Sequence, residues 1–152
     1  MTQMVFINLP VSDIPRARGF YEGIGFSINP AFSDEKALCV VISETIFLMV
    51  LHRAYFTTFI TRPLGDPLQT ASALIALSRE SKAAVDTLLE AALAHGGTEP
   101  RPPQDLGFMY SRAFCDPDGN WFEPMWMDPA AAGGAPPGAD GTGGDAGGDH
   151  AR

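Results

Sequence analysis

Hydrophobic and polar positions along this chain follow one succession of patterns, and follow it twice. The run VFINLPV, Val5–Val11, reads as a strand, and Ser12 or Asp13 stands where a helix N-cap belongs. Pro15 falls in the first turn of that helix, where its missing N–H is harmless. Ile14, Ala17, Tyr21 and Ile24 then recur at helical spacing, and Gly25 suits the left-handed residue that closes a helix. GFSINP, ALCVVIS and TIFLMVLH read as three more strands, with Ser43-Glu44 turning the chain between the last two.

The same order returns beyond a linker over 53–71. ALIALSR reads as a strand, and 80–95 as a helix whose stripe is Val85, Leu88, Leu89, Ala92 and Leu93. Gly96-Gly97 ends that helix, and His95 stands at the negative end of its dipole. TEPRPP is extended, MYSRAFC is a strand, DPDG is a tight turn and NWFEPMW is the closing strand. In the turn, Pro117 suits the second position and Gly119 supplies a positive φ. The fold class expected is therefore α+β: two tandem βαβββ modules, 4–52 and 72–128, forming a curved mixed sheet around a cleft. In this pairing Asn8 matches Ala76, Phe20 matches Leu88, and Thr45-Ile46-Phe47-Leu48 matches Asn120-Trp121-Phe122-Glu123.

Composition changes this picture only at the edges. With 152 residues, 45% apolar and 18% charged, the chain has room for one domain with a real core, spanning 1–128. The segment 129–152 is mostly Gly, Ala, Pro and Asp, offers little to bury, and is expected to be a disordered tail in which His150 is incidental. A formal charge of -8, with ten scattered basic residues, argues against nucleic acid or anionic membrane as a partner. No run has the leader pattern of a signal peptide or the length of a membrane span, so a cytoplasmic protein is expected. Cys39 and Cys115 lack metal-site or CxxC spacing and read as buried free thiols.

The duplicated unit, with LPVSDIPRARGFYEGIGF near its start and DPDGNWFE near its end, resembles the vicinal oxygen chelate superfamily. That group includes glyoxalase I, bleomycin-resistance proteins, fosfomycin-resistance enzymes and extradiol dioxygenases. RPPQDLGFMYSRAFCDPDG is similar to a bacterial branch labelled as predicted lactoylglutathione lyases. The resemblance implies a homodimer, and it implies metal positions on the first and last strand of each module. Those positions fall on Phe6, Leu74, Leu48 and Glu123, and only Glu123 among them is a metal ligand. A divalent ion wants four to six donor atoms, so no cofactor is expected. The alternative is Zn, Ni, Fe or Mn on Glu123, rescued by His52 or Asn8.

Strand alternation puts Trp121, Glu123, Met125 and Met127 on one face. If Glu123 faces the cleft, as the resemblance implies, Phe6, Asn8, Leu48, Leu74 and Trp121 join it in an apolar pocket around one carboxylate, with Tyr110 and Arg112 as its candidate partners. Two readings of Glu123 stay open: a general base or ligand anchor, or a structural group paired with Arg112 or with backbone. For the whole chain, the first reading is binding of a small, largely apolar molecule. The alternative is a glyoxalase-type lyase or isomerase, or a related dioxygenase, with Glu123 as ligand or base. In the linker, Tyr55, Phe56 and Phe59 at near-helical spacing form a short helix that caps the cleft, meets a second subunit, or simply covers a sheet edge. Arg62, Gln69 and Thr70 could contact a polar ligand.

Overall fold

The computed structural model describes residues 1–132, and its elements follow the repeated order read from the sequence. The first module runs β1 (Val5–Val11), α1 (Ile14–Gly23), β2 (Ser27–Ile28), β3 (Ala37–Val41) and β4 (Ile46–His52). Its sheet has the order β1-β4-β3-β2, with β1 parallel to β4 and the other pairs antiparallel. Asp13 is the N-cap of α1, its carboxylate accepting from the Arg16 N–H at 2.9 Å. Gly25 follows the helix at φ 101°, a conformation open to glycine at little cost. GFSINP yields only two strand residues, because the Asn29 carboxamide caps a 3-10 turn over Pro30–Phe32 and diverts the chain.

The linker opens with one helical turn, α2 (Arg53–Phe56), continued by a 3-10 turn over Thr57–Phe59. The second module then runs β5 (Ile75–Ser78), α3 (Lys82–Ala94), β6 (Gln104–Asp105), β7 (Met109–Ser111), β8 (Phe114–Cys115) and β9 (Trp121–Met127). Its sheet has the order β5-β9-β7-β6, with β8 also on β9 and β5 parallel to β9. MYSRAFC is thus two strands rather than one, although both keep one register along β9. The gap lies opposite Pro124, which has no N–H to offer the ladder. α3 is capped by Ser81, and it buries Val85, Leu88, Leu89 and Ala92, while Leu93 is exposed. A short helical turn, α4 (Pro129–Ala132), follows β9, and the rest of the expected tail, with His150, lies outside the described residues.

One core serves both modules. Phe20 and Tyr21 of α1 meet Phe114 and Phe122 of the second sheet at centroid distances of 5.9 and 6.2 Å, and Leu48, Val50 and Leu89 are buried with them. Side chains on this face of each sheet are the helix-facing set, so the opposite face is the concave one.

The turn DPDG-Asn120 locks the modules together. Asp116 accepts from the Tyr21 hydroxyl at 2.7 Å, from the Asp118 and Asn120 N–H groups, and from the Asn120 carboxamide. That carboxamide also donates to the Pro10 carbonyl at 3.0 Å, on the first strand of the other module. Asp118 accepts from the Ser12 N–H and hydroxyl and from the Arg16 guanidinium. Burial pushes the Asp116 carboxyl above the usual carboxylate range, against the donors from Tyr21 and Asn120 that favour its charged form. Tyr21, fully buried beside it, is pushed well above an ordinary phenol, first by burial and then by the Asp116 charge.

Candidate functional site

Register decides which side chains reach the concave surface. β1 and β4 pair Phe6 with Phe47 and Asn8 with Met49, while Ile7 pairs with Leu48. Leu48 is fully buried in the core, so its expected place in the cleft is corrected: it points toward the helices. In the second module Ala76 pairs with Glu123 and Ile75 with Phe122. Since Asn8 corresponds to Ala76, the counterpart of Glu123 is Met49, one residue beyond Leu48. The first hairpin and the second differ by that one residue from the matching drawn by apolar pattern alone, because two adjacent apolar residues, Leu48 and Met49, fit either face.

Phe6 and Leu74 are 49% and 55% exposed, and Phe6 stacks on Phe47 at 4.8 Å. Asn8 is exposed too, its amide donating to the Phe6 carbonyl at 3.3 Å.

Glu123 finds a basic partner, but a different one from Arg112. Its carboxylate lies 3.6 Å from the Arg101 guanidinium, with both side chains about a quarter exposed, at 23% and 27%. Arg101 also donates to the Ser111 hydroxyl at 3.2 Å and to the Pro102 carbonyl at 3.0 Å. Ser111 and Met125 are register partners, so serine, guanidinium and carboxylate share one face with Met125 and Met127. Arg101 stands in the extended TEPRPP segment, and the strand pattern that exposes Glu123 says nothing about which loop residue returns to it.

Tyr110 and Arg112 are corrected to the opposite face. Tyr110 donates to Asp86 of α3 at 2.6 Å. Arg112 donates to Asp86 at 2.8 Å and grips Glu99 through two bonds of 2.9 Å. Their shared bonds to Asp86 hold both side chains toward α3, on the face opposite Glu123. The hydrogen bond from Tyr110, then the one from Arg112, holds Asp86 below the usual carboxylate range. The same contacts raise Tyr110, Asp86 first among them, and raise Arg112, led by Glu99. This is a fastening between α3 and its sheet.

His52 closes β4 and turns its ring back onto the chain, Nδ1 accepting from the Ala54 N–H at 3.1 Å as the N-cap of α2. That cap explains why a histidine ends this strand. The four positions that the resemblance assigns to metal are therefore Phe6, Leu74, Met49 and Glu123, with the carboxylate beside a guanidinium. Such a donor set does not fit a Zn²⁺, Ni²⁺, Fe²⁺ or Mn²⁺ centre. Among the described residues no three His, Cys, Asp or Glu side chains converge as a metal site. Cys39 and Cys115 are buried free thiols, and burial raises both above an ordinary thiol.

Two kinds of cavity adjoin this surface. Over the first module, α2 and the following turn border an open hollow of about 300 Å³, lined by Asn8, Met49, Phe32, Tyr55 and Phe59 among others. The linker aromatics Tyr55 and Phe59 thus flank the first module's concave face. At the seam between modules, Trp121 borders spaces of about 260 and 400 Å³ on either side of the linker segment 67–71. Gln69 and Thr70 line the larger one, and Arg62 lies on a separate surface hollow. The Trp121 indole N–H is buried without an acceptor. None of the described helices is long and apolar enough to cross a membrane.

Two paired βαβββ sheets with helices outside and concave strands inside define the glyoxalase/bleomycin-resistance-like fold. Residues 3–43 match the family described as bleomycin resistance protein-like N-terminal. Among solved structures, the chain is similar to hypothetical protein SA1046 from S. aureus, with a TM-score of 0.70, 24% identity, and coverage of 84% of this chain and 95% of that one. It is also similar to a glyoxalase/bleomycin resistance protein/dioxygenase family enzyme from Burkholderia phytofirmans PsJN, with a TM-score of 0.67, 18% identity, and coverage of 83% and 99%. A third is the fosfomycin resistance protein FosX from Mesorhizobium loti, with a TM-score of 0.56, 21% identity, and coverage of 83% and 90%. A comparison with curated proteins gives no match. At these identities the structural likeness establishes the fold.

Proposed function

We propose that this chain is a glyoxalase/bleomycin-resistance superfamily protein that binds a small, largely apolar molecule against its concave strands, without a metal centre. The observation that carries this reading is the open cavity of about 300 Å³ between the first sheet and the linker helix. Phe32, Met49, Leu51, Tyr55 and Phe59 stand there beside Asn8, Ser33 and Asp34, a mixed lining that suits a small molecule with an apolar body and a polar group. Glu123 lies outside this cavity, and its ion pair with Arg101 on the second module makes it, in this reading, a structural group rather than a ligand of a metal ion.

The working unit is a homodimer. Phe6 and Leu74 expose large apolar side chains, and a second copy would cover them. Two buried free thiols suit a reducing compartment such as the cytoplasm.

A calorimetric screen of the purified protein against small aromatic and branched aliphatic compounds tests the reading. Saturable binding that persists in chelator is expected. Binding that appears only after Ni²⁺ or Zn²⁺ is added, or turnover of hemithioacetals under those conditions, would contradict it.

A further inference from the structure

The cavity over the first module has a chemical character beyond its apolar floor. Its outer walls include three aromatic rings, Phe32, Tyr55 and Phe59, and Asp34 stands at the same rim. Tyr55 and Phe59 meet edge to face at 5.0 Å. The Lys36 ammonium lies 4.6 Å from the centroid of the Tyr55 ring, outside the residues that line the hollow, so this ring accepts a cation on a π face in the folded chain. Asp34 is fixed at the rim, one carboxylate oxygen accepting from the Lys36 N–H at 2.9 Å. Phe32 and Phe59 are 67% and 64% exposed, which leaves the mouth open to solvent.

We propose that this cavity is a site for a small organic cation bearing an alkylated ammonium group. The proposal rests on the reading that the concave side takes a small molecule, and it narrows that molecule's class. Aromatic faces carry negative potential and attract cations within about 6 Å. A primary ammonium such as that of lysine is strongly hydrated, and it gives up much to lie on a ring. A quaternary ammonium has little hydration to lose, so these rings and the Asp34 charge should favour it over a primary ammonium. The net charge of -8 favours approach of any cation, and the rings supply the selection.

The test compares choline with 3,3-dimethylbutan-1-ol, its uncharged carbon isostere, by NMR titration of the isotopically labelled protein at fixed ionic strength. Choline should bind about tenfold more tightly than the isostere and shift resonances around Tyr55 and Phe59. Tyr55→Leu and Phe59→Leu should each weaken choline, and Tyr55→Phe should retain it. Equal affinity for the two probes would overturn the cation assignment while leaving an apolar cleft in place. Choline binding indifferent to Tyr55→Leu and Phe59→Leu would reduce the effect to surface charge, and shifts by neither probe at these residues would also overturn it.

Discussion

The two modules share one chain path, yet their hairpin turns do different work. In the first module the turn before β4 is local: the Ser43 hydroxyl accepts from the Thr45 and Ile46 N–H groups, and the contact is exposed. In the second, the corresponding turn is buried and reaches the other module through Tyr21, Pro10, Ser12 and Arg16. The concave faces differ in the reverse sense, for the first is bordered by the linker aromatics and carries Asn8 and Met49, while the second carries the ion pair Glu123–Arg101. A duplicated pattern therefore need not mean duplicated roles. The DPDGN motif fastens the modules, and the binding surface is assembled from positions that the repeat leaves free.

The sharpest way to break this contrast is to remove each turn's acceptor. Asp116→Ala strands the Tyr21 hydroxyl, the Asn120 carboxamide and two N–H groups in a buried site, and should cost about 3–5 kcal/mol in denaturant unfolding. Ser43→Ala, which leaves its donors exposed to water, should cost less than about 1 kcal/mol. Equal losses would erase the distinction.

Glycines offer a second cut. Gly119 has φ 94°, and an added Cβ would come within 2.6 Å of the Pro67 carbonyl carbon, so Gly119→Ala should cost about 2–3 kcal/mol. Gly25 has a similar φ of 101° in open space, and Gly25→Ala should cost only about 1 kcal/mol in the same assay.

The carboxylates behave oppositely with pH. Asp86 is depressed in the folded state, so its stabilisation is present above the ordinary carboxylate value and is lost as pH falls through its lower folded one. Asp116 is raised, so the folded chain takes up its proton first, and its charging disfavours folding as pH rises through that raised value. The stability gap between the parent and Arg112→Met should be widest near neutrality and shrink in acid, read from unfolding midpoints across pH. A constant gap would show that Arg112 acts through packing alone. The smallest effect on stability belongs to Arg101→Met, below about 1 kcal/mol for a partly exposed pair.

Much of the scaffold was legible because periodicity and turn chemistry agreed. The Asp13 cap, Gly25, the α3 stripe and the positive φ of Gly119 all follow from residue type and spacing. The concave site was legible only in part. Phe6, Leu74 and Glu123 came from the family resemblance and Asn8 from alternation along its strand, but Leu48 and Met49 are both apolar, and only the observed register with β1 tells which one faces the cleft. Tyr110 and Arg112 lie next to Glu123's strand in sequence logic, yet both turn toward Asp86 of α3. Arg101 comes from irregular chain, where no period constrains direction. The clasp was invisible for a similar reason, since bonds between residues 95 to 110 positions apart leave no local pattern.

The most direct test is native mass spectrometry of the protein purified without chelator, incubated with Zn²⁺ and Ni²⁺, desalted, and then exposed to a compound found by the calorimetric screen. The account predicts a dimer that retains no stoichiometric metal and binds the organic molecule without it. One Zn²⁺ or Ni²⁺ retained per chain and lost in Glu123→Gln would contradict it.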